Sequence, residues 1–252
     1  MKNSIPNNSN AVALITGANK GIGLAVARQL GMRGYSVWLG CRDTARGQIA
    51  VFDLQSAGID AHMLKLDVTD VASVNAAAGR LEQDVGALDA LVNNAGISIG
   101  APSRISKEKV EDIRAMFEVN TLGPVVVTKA FLPLLRRSKA ARIVMMSSGL
   151  GSLAEATDMA GMFWNVGFAG YCASKSALNM LTVKLAKELL AEGIKVNAAD
   201  PGFTATDLNG QSGYRTVEEA AKVVVDLATL NPMGPTGGFF HDGHASQSRH
   251  RW

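Results

Sequence analysis

Short apolar runs alternate along the chain with stretches in which apolar residues recur every three or four positions. The first pattern predicts buried β-strands, and the second predicts amphipathic helices. This alternation indicates a parallel sheet, because parallel strands need long crossover connections that are usually helical. The sequence therefore predicts one α/β domain with a doubly wound parallel sheet of about seven strands and helices on both faces. The predicted strands are 11–16, 36–40, 61–66, 87–92, 142–146, 194–198 and 238–240.

The first predicted strand runs into a glycine-rich turn that contains Gly17, Gly21 and Gly23, followed by a helical pattern over 24–30. Glycines let the backbone approach a ligand closely, and a helix N-terminus offers unpaired N–H groups to a phosphate. We interpret the turn as a pyrophosphate site for a dinucleotide. The spacing Gly-x-x-x-Gly-x-Gly departs from the Gly-x-Gly-x-x-Gly fingerprint, so a tight turn without a ligand is the alternative.

A tyrosine and a lysine lie four residues apart at Tyr171 and Lys175. In a helix this spacing places both side chains on one face. An ammonium near a phenol favours the phenolate, so we expect a lowered tyrosine pKa and proton exchange nearer neutral pH. The spacing alone is also typical of an ordinary surface pair, and only the other motifs favour acid–base chemistry.

Six motifs occur in the order seen in the short-chain dehydrogenase/reductase family, which the chain resembles from 11 to 242. The pair Asn19 and Lys20, the turn at 41–43 and the extra residues before Tyr171 resemble its carbonyl-reductase-like, NADPH-dependent branch. The resemblance implies a Rossmann-type fold. The motifs are Thr16 to Gly23, Asn93 to Gly96, Asn120, Ser147 with Ser148, Tyr171 with Lys175, and Pro201 with Gly202.

The resemblance also implies a reaction, the transfer of hydride from NADPH to an aldehyde, ketone or quinone. In that reading Tyr171 donates the proton and Ser148 gives a second hydrogen bond to the carbonyl oxygen. Lys175 lowers the tyrosine pKa and holds the nicotinamide ribose, while Asn120 supports a water between the lysine and solvent. If the match between this serine pair and the family motif is shifted by one residue, Ser147 takes the role of Ser148.

Charge at the end of the second strand favours NADPH over NADH. A carboxylate there would bind the ribose 2′-hydroxyl of NAD, whereas this chain has Cys41 followed by Arg42. Lys20 and Arg46 provide further cations for a 2′-phosphate. Alternatively, the two arginines are solvated residues at the start of a helix, where Asp43 pairs with one of them.

Further cofactor contacts follow from the resemblance. The segment after the third strand is where the family places an adenine contact, the residues after Asn93 line the adenosine ribose, and the segment after Pro201 holds the nicotinamide carboxamide. The predicted cofactor residues are Gly17, Asn19, Lys20, Gly21, Ile22, Gly23, Arg42, Arg46, Asp67, Val68, Asn94, Ala95, Gly96, Tyr171, Lys175, Pro201, Gly202, Thr204 and Thr206.

The stretch between Ser148 and Tyr171 is longer than in most members of the family, and we call 151–168 the insertion. Because it is tethered at two predicted catalytic residues, its aromatic content predicts an apolar wall beside the substrate. Trp164 and Phe168 are the predicted substrate residues. Surface packing and a subunit interface are the alternatives.

Composition limits the class of protein. A chain of 252 residues that is 47% hydrophobic suits one domain, predicted at 11–242. The net charge of +3 with scattered basic residues gives no electrostatic case for nucleic acid. The absence of a signal-peptide pattern or a membrane-length apolar run predicts a soluble, cytoplasmic protein. The segments 1–10 and 243–252 are predicted to be flexible tails.

Neither the cysteines nor the histidines predict a metal site or a disulfide. Cys41 and Cys172 lack the spacing of either, so we expect free thiols. His241, His244 and His250 are interpreted as parts of a solvated terminus.

Two other functions compete with carbonyl reduction. A catalytically silent NADP-binding regulator would share the glycine turn but would not need Tyr171, Lys175, Ser148 and Asn120 together. An NADP-dependent alcohol dehydrogenase would use the same groups mainly in the oxidative direction. For a carbonyl reductase and for an alcohol dehydrogenase alike, the predicted partner is a small-molecule substrate. The sequence does not choose between a monomer and a homo-oligomer.

Overall fold

The computed structural model describes residues 11–241 and 250–252. The predicted tail 1–10 and His244 lie outside the described residues. Seven parallel strands form one sheet in the order β3-β2-β1-β4-β5-β6-β7, which confirms the predicted fold class. The strands are β1 (Val12–Thr16), β2 (Ser36–Cys41), β3 (Ala61–Lys65), β4 (Ala90–Asn93), β5 (Arg142–Met146), β6 (Lys195–Ala199) and β7 (Phe239–Phe240).

Within the described ranges, eight α-helices lie between these strands and cover the sheet. They are α1 (Gly21–Gly31), α2 (Thr44–Ser56), α3 (Val71–Asp84), α4 (Val110–Phe117), α5 (Gly123–Arg137), α6 (Leu153–Ala156), α7 (Ala169–Glu188) and α8 (Val217–Ala228). Apolar residues of α1, α2 and α8 pack in one core cluster, and those of α3, α5 and α7 pack in a second. The central strands are buried on both faces, which explains their nearly continuous apolar sequences.

Strand β4 begins at Ala90, three residues later than the apolar run from 87 predicted. Asp89 explains the difference, because its carboxylate accepts a hydrogen bond from the Val12 N–H at 2.8 Å. This side-chain contact lies just ahead of the parallel pairing between β1 and β4, which starts at Ala13 and Ala90.

The long helical pattern after 107 is interrupted in the structure. Helix α4 ends at Phe117, a π-helical turn follows at Glu118–Leu122, and α5 begins at Gly123. Such turns insert an extra residue into the hydrogen-bond ladder and are frequent at functional sites. Here the turn carries Asn120, which is fully buried.

The strand order reverses between β1 and β4, so their connections leave to opposite faces of the sheet. In doubly wound folds this position opens a crevice at the carboxyl ends of the strands. The residues that end β1, β4, β5 and β6 therefore converge on one edge of the molecule. None of the helices in the described ranges is long and apolar enough to cross a membrane.

The expectation that His250 belongs to a solvated terminus is wrong. The His250 side chain is only 12% exposed and its ring lies 4.6 Å from that of Phe239. Trp252 stacks on the same phenylalanine with ring centroids 5.5 Å apart. The last three residues pack against the fold because this contact buries aromatic surface and pairs the imidazole with a carboxylate.

Candidate active site

The glycine turn after β1 has the backbone conformation that its sequence predicts. Gly17 and Gly21 have φ of 64° and 59°, in the left-handed region that favours glycine. A Cβ at Gly17 would lie 3.0 Å from the Cα of Ala95, whereas one at Gly21 would meet only Thr206, at 3.9 Å. The backbone at Gly21 therefore faces open space beside the segment that follows β6.

The N-terminus of α1 lacks the side-chain cap that other helices of this protein have. Asp43, Asp70 and Thr216 accept hydrogen bonds from the first turns of α2, α3 and α8. At α1, among the described residues, the N-cap residue Lys20 makes no such bond. The first N–H groups of α1 and the positive end of its dipole are available to an anion. This arrangement fits a pyrophosphate.

Asn94 holds the glycine turn in place through hydrogen bonds to its backbone. Its side-chain amide donates to the carbonyl oxygens of Thr16 at 2.8 Å and Gly17 at 3.2 Å. The backbone N–H groups of Asn94 and Ala95 each donate to the Thr16 hydroxyl at 3.0 Å. The side chain of Asn94, a predicted ribose contact, is thus directed at β1, and it holds the carboxyl ends of β1 and β4 together.

Cys41 lies beneath the same turn at the end of β2. Burial raises the pKa of the Cys41 thiol to about 11, although hydrogen bonds from the backbone of Ala18 and Asn19 act in the opposite direction. The thiol is free, as is that of Cys172. Cys41 therefore supports the turn as a neutral, buried group of one core cluster, and the partly buried Ile22 packs against the same cluster.

The three predicted phosphate-binding cations differ in their partners. The Lys20 ammonium pairs with Asp207 at 2.6 Å, across the cleft between the glycine turn and the segment after β6. Arg46 pairs with Asp43 at 3.3 Å, which was the alternative for this helix start. Arg42 is exposed and forms no ion pair within the described part of the chain.

Arg42 faces the end of β3, where it helps to lower the pKa of Asp67. Burial would raise that pKa, but hydrogen bonds from Thr69 and the Arg42 charge outweigh it. One Asp67 oxygen accepts from the Thr69 N–H at 3.0 Å and from its hydroxyl at 2.7 Å. Val68 is buried against the start of α5, so its side chain supports the site from the core.

Tyr171 and Lys175 lie on one face of α7, at the edge of the sheet where the carboxyl ends of the strands meet. The Lys175 ammonium is 5.6 Å from the centroid of the tyrosine ring and donates to the Met146 carbonyl at 2.7 Å. Lys175 is buried, and loss of hydration lowers its pKa to about 8.

The expected lowering of the tyrosine pKa is wrong for this structure. Burial raises the pKa of Tyr171 above its usual value, a hydrogen bond with the Ser148 side chain lowers it in part, and the Asp200 charge raises it further. Lys175 lies over the ring, and desolvation of the phenolate is the larger effect. The phenol therefore stays protonated at neutral pH.

The two serines after β5 point in different directions. The Ser147 hydroxyl donates to the Asn179 side chain at 2.5 Å in a buried position. Ser148 is partly exposed, and its oxygen accepts from the Leu150 N–H at 3.3 Å while its side chain also bonds with Tyr171. Of the pair, Ser148 is the one beside the phenol.

The π-helical turn aims the Asn120 side chain at α7 and at the segment after β4. Its oxygen accepts from the Ile97 N–H at 2.8 Å, and its amide donates to the Ile97 carbonyl at 2.9 Å and the Ser174 hydroxyl at 3.0 Å. Gly96 lies between Asn120 and Lys175, since a Cβ there would be 3.4 Å from the Asn120 oxygen and 3.6 Å from the lysine nitrogen. The missing side chain leaves a gap between these two polar groups.

The segment after β6 closes the other side of the cleft. Pro201 is partly exposed, and Gly202 has a φ of 70°, with its N–H bonded to Asp200 at 2.9 Å. Thr204 is buried and donates to the carbonyl oxygens of Pro201 and Gly202, both at 3.1 Å. Thr206 begins a short helical turn with a capping box and lies next to Gly21.

The insertion contains α6 and a series of turns. Trp164 is 48% exposed and so does not belong to the core, while Phe168 is partly buried at the N-cap of α7 with a φ of 65°. The ring of Phe163 lies against Gly149, where a Cβ would be 2.9 Å from it. Phe163, which was not among the predicted substrate residues, thus lies beside the loop that begins at Ser148.

Two functional acids escape prediction from the sequence. Asp200, which contacts both Gly202 and His250, could have been suspected as a charged residue directly after an apolar strand. Glu108 accepts from the N–H groups of Ala169 at 2.6 Å and Gly170 at 2.8 Å and so caps the helix that carries Tyr171. No local signal marks Glu108, because its partners lie more than a whole helix away in the chain.

Comparison with known proteins identifies the family. A family model described as short chain dehydrogenase matches residues 11–215. The chain belongs to the short-chain dehydrogenase family. The chain is 38% identical over 226 residues to the short-chain dehydrogenase anuI of Penicillium roqueforti, a match that covers 86% of this chain and 88% of the relative.

Two reductases are also similar to this short-chain dehydrogenase. The (−)-isopiperitenone reductase of Mentha piperita is 32% identical over 300 residues, with 90% of this chain and 95% of the relative covered. The crystal structure of an NADPH-bound carbonyl reductase from chicken fatty liver superposes with a TM-score of 0.83 at 30% identity, covering 96% and 99% of the two chains. The protein is therefore an oxidoreductase of a family that uses nicotinamide dinucleotides.

The close packing of the glycine turn predicts that one added methyl group at Gly23 lowers the stability of the fold. A Cβ at Gly23 would lie 2.5 Å from the Asn94 amide nitrogen and 2.8 Å from the Gly17 carbonyl oxygen. We expect Gly23→Ala to displace the Asn94 side chain from its hydrogen bonds to the turn. The free energy of unfolding, measured in urea titrations, should fall by about 1–3 kcal/mol.

Gly79→Ala in α3 is the matched control, because nothing lies within 4 Å of its added Cβ. It should raise stability by about 0.5–1 kcal/mol through better helix propensity. Equal stability of the two variants would show that the turn tolerates the methyl group.

Proposed function

We propose that this oxidoreductase is an NADPH-dependent reductase of aldehydes, ketones or quinones in which Tyr171 donates the proton. The observation that carries the proposal is the phenol itself, which lies beside the Ser148 side chain and beneath the Lys175 ammonium. Because burial raises its pKa, Tyr171 is protonated at neutral pH and can act as an acid. The similarity to reductases, one of them solved with NADPH bound, supports the same reaction.

The residues of the cleft fit NADPH. The uncapped N-terminus of α1 and the open backbone at Gly21 would hold the pyrophosphate. Arg42, exposed and without an ion pair among the described residues, would bind the 2′-phosphate, and Asp67 would contact the adenine. Gly202 and Thr206 would hold the carboxamide. When bound, NADPH supplies the hydride.

The protein's own groups serve the oxygen of the substrate. Negative charge develops on that oxygen as hydride reaches the carbonyl carbon, so donors aimed at it lower the barrier. Tyr171 gives its proton to the oxygen, and Ser148 provides a second hydrogen bond, so that the carbonyl becomes an alcohol. The Lys175 ammonium stabilises the phenolate that remains, and this stabilisation is strong because the ammonium is buried.

Proton return to Tyr171 has a route through the gap at Gly96. Asn120 and Lys175 border this gap, and its polar lining suits a bridging water. Asn120 keeps its position through three hydrogen bonds to protein groups. We infer that it orients such a water while the π-helical turn keeps its side chain in place.

The buried lysine disfavours one of the two other functions. A silent NADP-binding regulator has no use for a buried lysine, whose loss of hydration costs stability. An alcohol dehydrogenase would use the same groups with the proton moving in the opposite direction. Rates of NADPH oxidation and of NADP+ reduction, measured side by side, decide between reduction and oxidation.

We propose that the insertion forms the substrate wall, with Trp164 and Phe168 facing a small carbonyl compound. Phe163 supports this placement, because its contact with Gly149 brings the insertion next to Ser148. The half-exposed Trp164 would gain apolar contact from a bound substrate. A subunit interface through the insertion is the competing assignment.

Replacing Tyr171 by phenylalanine tests the mechanism directly. We expect Tyr171→Phe to reduce the turnover number for carbonyl reduction on the order of a hundredfold or more, since a general acid is lost. The dissociation constant for NADPH, measured by fluorescence titration, should change little.

Tyr35→Phe is the control, because Tyr35 directly precedes β2 and so lies at the amino ends of the strands, on the edge of the sheet opposite the site. Lys175→Ala should differ from both variants by weakening NADPH binding as well. If Tyr171→Phe keeps wild-type turnover, another group donates the proton and the mechanism is wrong.

Arg42 tests the cofactor. Loss of one charge-assisted contact with the 2′-phosphate costs about 1.5–3 kcal/mol, or roughly ten- to a hundredfold in affinity. We expect Arg42→Ala to raise the Michaelis constant for NADPH by this factor and to leave that for NADH nearly unchanged. Arg80→Ala on α3, which removes an arginine paired with Asp84, serves as the control. Equal effects on both cofactors would make Arg42 structural.

Trp164 tests the substrate wall. We expect Trp164→Ala to change the relative activity toward bulky and small carbonyl compounds while thermal stability stays within about 1 kcal/mol, since the side chain is half-exposed. Met233→Ala removes a more exposed apolar side chain outside the insertion and should leave the ranking unchanged. A shift to smaller oligomers on gel filtration with unchanged substrate ranking would instead assign Trp164 to an interface.

A further inference from the structure

The C-terminal residues of the chain are attached to the edge of the active site. The His250 N–H donates to the Phe239 carbonyl at 2.9 Å, which fixes its backbone beside β7. The Ser152 hydroxyl donates to the Arg251 carbonyl at 2.8 Å, and the Ala154 N–H donates to the Trp252 carbonyl at 3.2 Å. The end of the chain therefore joins the last strand to the start of the insertion.

This attachment buries an imidazole against a carboxylate. The Nε2 atom of His250 lies 2.8 Å from Oδ2 of Asp200, and the two side chains are only 12% and 10% exposed. His62 and Asp60 form a pair of the same length at the amino end of β3, but those side chains are 42% and 64% exposed. The His250 pair is thus distinguished by its burial and by its place beside the cleft.

Asp200 connects the two loops that border the reacting groups. Its Oδ1 accepts from the Gly202 N–H at 2.9 Å, and the backbone of Gly149 also donates to this carboxylate. Gly149 directly follows Ser148, and Gly202 lies in the proposed carboxamide segment. A side chain at Gly149 would find no room, since its Cβ would lie 3.0 Å from Oδ2 of Asp200.

The Asp200 carboxylate is charged at neutral pH. Burial would raise its pKa, but the hydrogen bonds from His250, Gly202 and Gly149 together outweigh that effect and hold the pKa below the usual value. A buried carboxylate that loses one of its donors becomes costly, so His250 is needed to keep Asp200 where it is.

We propose that His250 is a positioning residue: through Asp200, it holds the Ser148 loop and the Gly202 segment in the geometry that the reaction needs. The inference rests on the proposed reductase function. Small displacements of a group that contacts the reacting atoms lower the reaction rate by large factors, so a loop that shifts slightly is enough to reduce activity. The C-terminus of this chain is then part of the working site.

The pair also affects the proton donor by charge. Tyr171 is faced by Ser148, Lys175, Cys172 and Asp200, and the negative charge of Asp200 opposes formation of the phenolate. Removal of that charge therefore lowers the pKa of Tyr171. Reduction needs the protonated phenol. The loss of reductase activity at high pH should therefore begin at a lower pH when the Asp200 charge is removed. His250 itself is also faced by Glu155 at 4.0 Å and by the ring of His241 at 4.3 Å.

The test compares His250→Ala, His250→Gln and Asp200→Asn with the control His62→Ala in the full-length protein. We expect His250→Ala to lower the turnover number for NADPH-dependent reduction by about tenfold, with a smaller change in the Michaelis constant for NADPH. The glutamine variant, whose amide can donate in place of Nε2, should recover most of the turnover. Asp200→Asn should move the high-pH loss of activity to lower pH.

A second measurement is independent of activity. The Ala154 N–H, which donates to the Trp252 carbonyl, should exchange its hydrogen with solvent faster in His250→Ala and Asp200→Asn than in the wild type or His62→Ala, as followed by mass spectrometry. Equal exchange rates would overturn the attachment. Turnover of His250→Ala equal to that of His62→Ala, or no recovery with glutamine, would overturn the positioning role. An unchanged pH profile in Asp200→Asn would overturn the effect of the Asp200 charge on Tyr171.

Tyr171→Phe, measured in parallel, separates this inference from the proposed function. If Tyr171→Phe remains active, the proposed reductase mechanism fails whatever the His250 variants do. If Tyr171→Phe is inactive and the His250 variants match the control, only the positioning role fails. Melting temperatures identify a variant that does not fold. If His250→Ala does not fold, the turnover of Asp200→Asn at neutral pH, compared with that of His62→Ala, decides the question.

Discussion

Parallel pairing of the strands is the constraint on which the rest of this structure depends. Because every strand runs in the same direction, each one delivers its last residues to the same edge of the sheet. Thr16 ends β1, and Asn94, Ser148 and Asp200 follow the neighbouring strands β4, β5 and β6. These four residues therefore meet at that edge although they are far apart in the chain. The apolar side chains on both faces of the sheet stabilise this arrangement, which makes the site a product of the core.

The site combines ionisable groups with a poorly hydrated environment. Lys175 is buried with a carbonyl oxygen as its hydrogen-bond partner, and its pKa falls to about 8, whereas that of Tyr171 rises. Both shifts have the same origin, since low hydration disfavours whichever form is charged. The folded core holds these groups in place at a cost in stability, and in return their interactions with a developing charge are stronger than in water.

Several polar side chains at the edge bind the protein's own backbone. Asn94 joins the ends of β1 and β4, Asn120 joins the π-helical turn to the segment after β4, and Glu108 caps α7. Each of them satisfies backbone groups that would otherwise be buried without partners. The loops of the cleft are therefore held by side-chain contacts as well as by the sheet. This explains how irregular segments keep the side chains of the candidate site in fixed positions.

By itself the sequence determined the elements and their class, because strand and helix periodicities and the glycine turn are local patterns. It also placed Tyr171, Lys175, Ser148 and Asn120 as candidates, and the structure brings them to one edge. Only the tertiary structure decided the partners: Lys20 pairs with Asp207, 187 positions away, and His250 with Asp200. It also decided the direction of the Tyr171 pKa shift, because burial is the largest effect on that pKa and raises it. Hydration and charge at a residue depend on segments that no local pattern brings together, so they emerge only when the chain has folded.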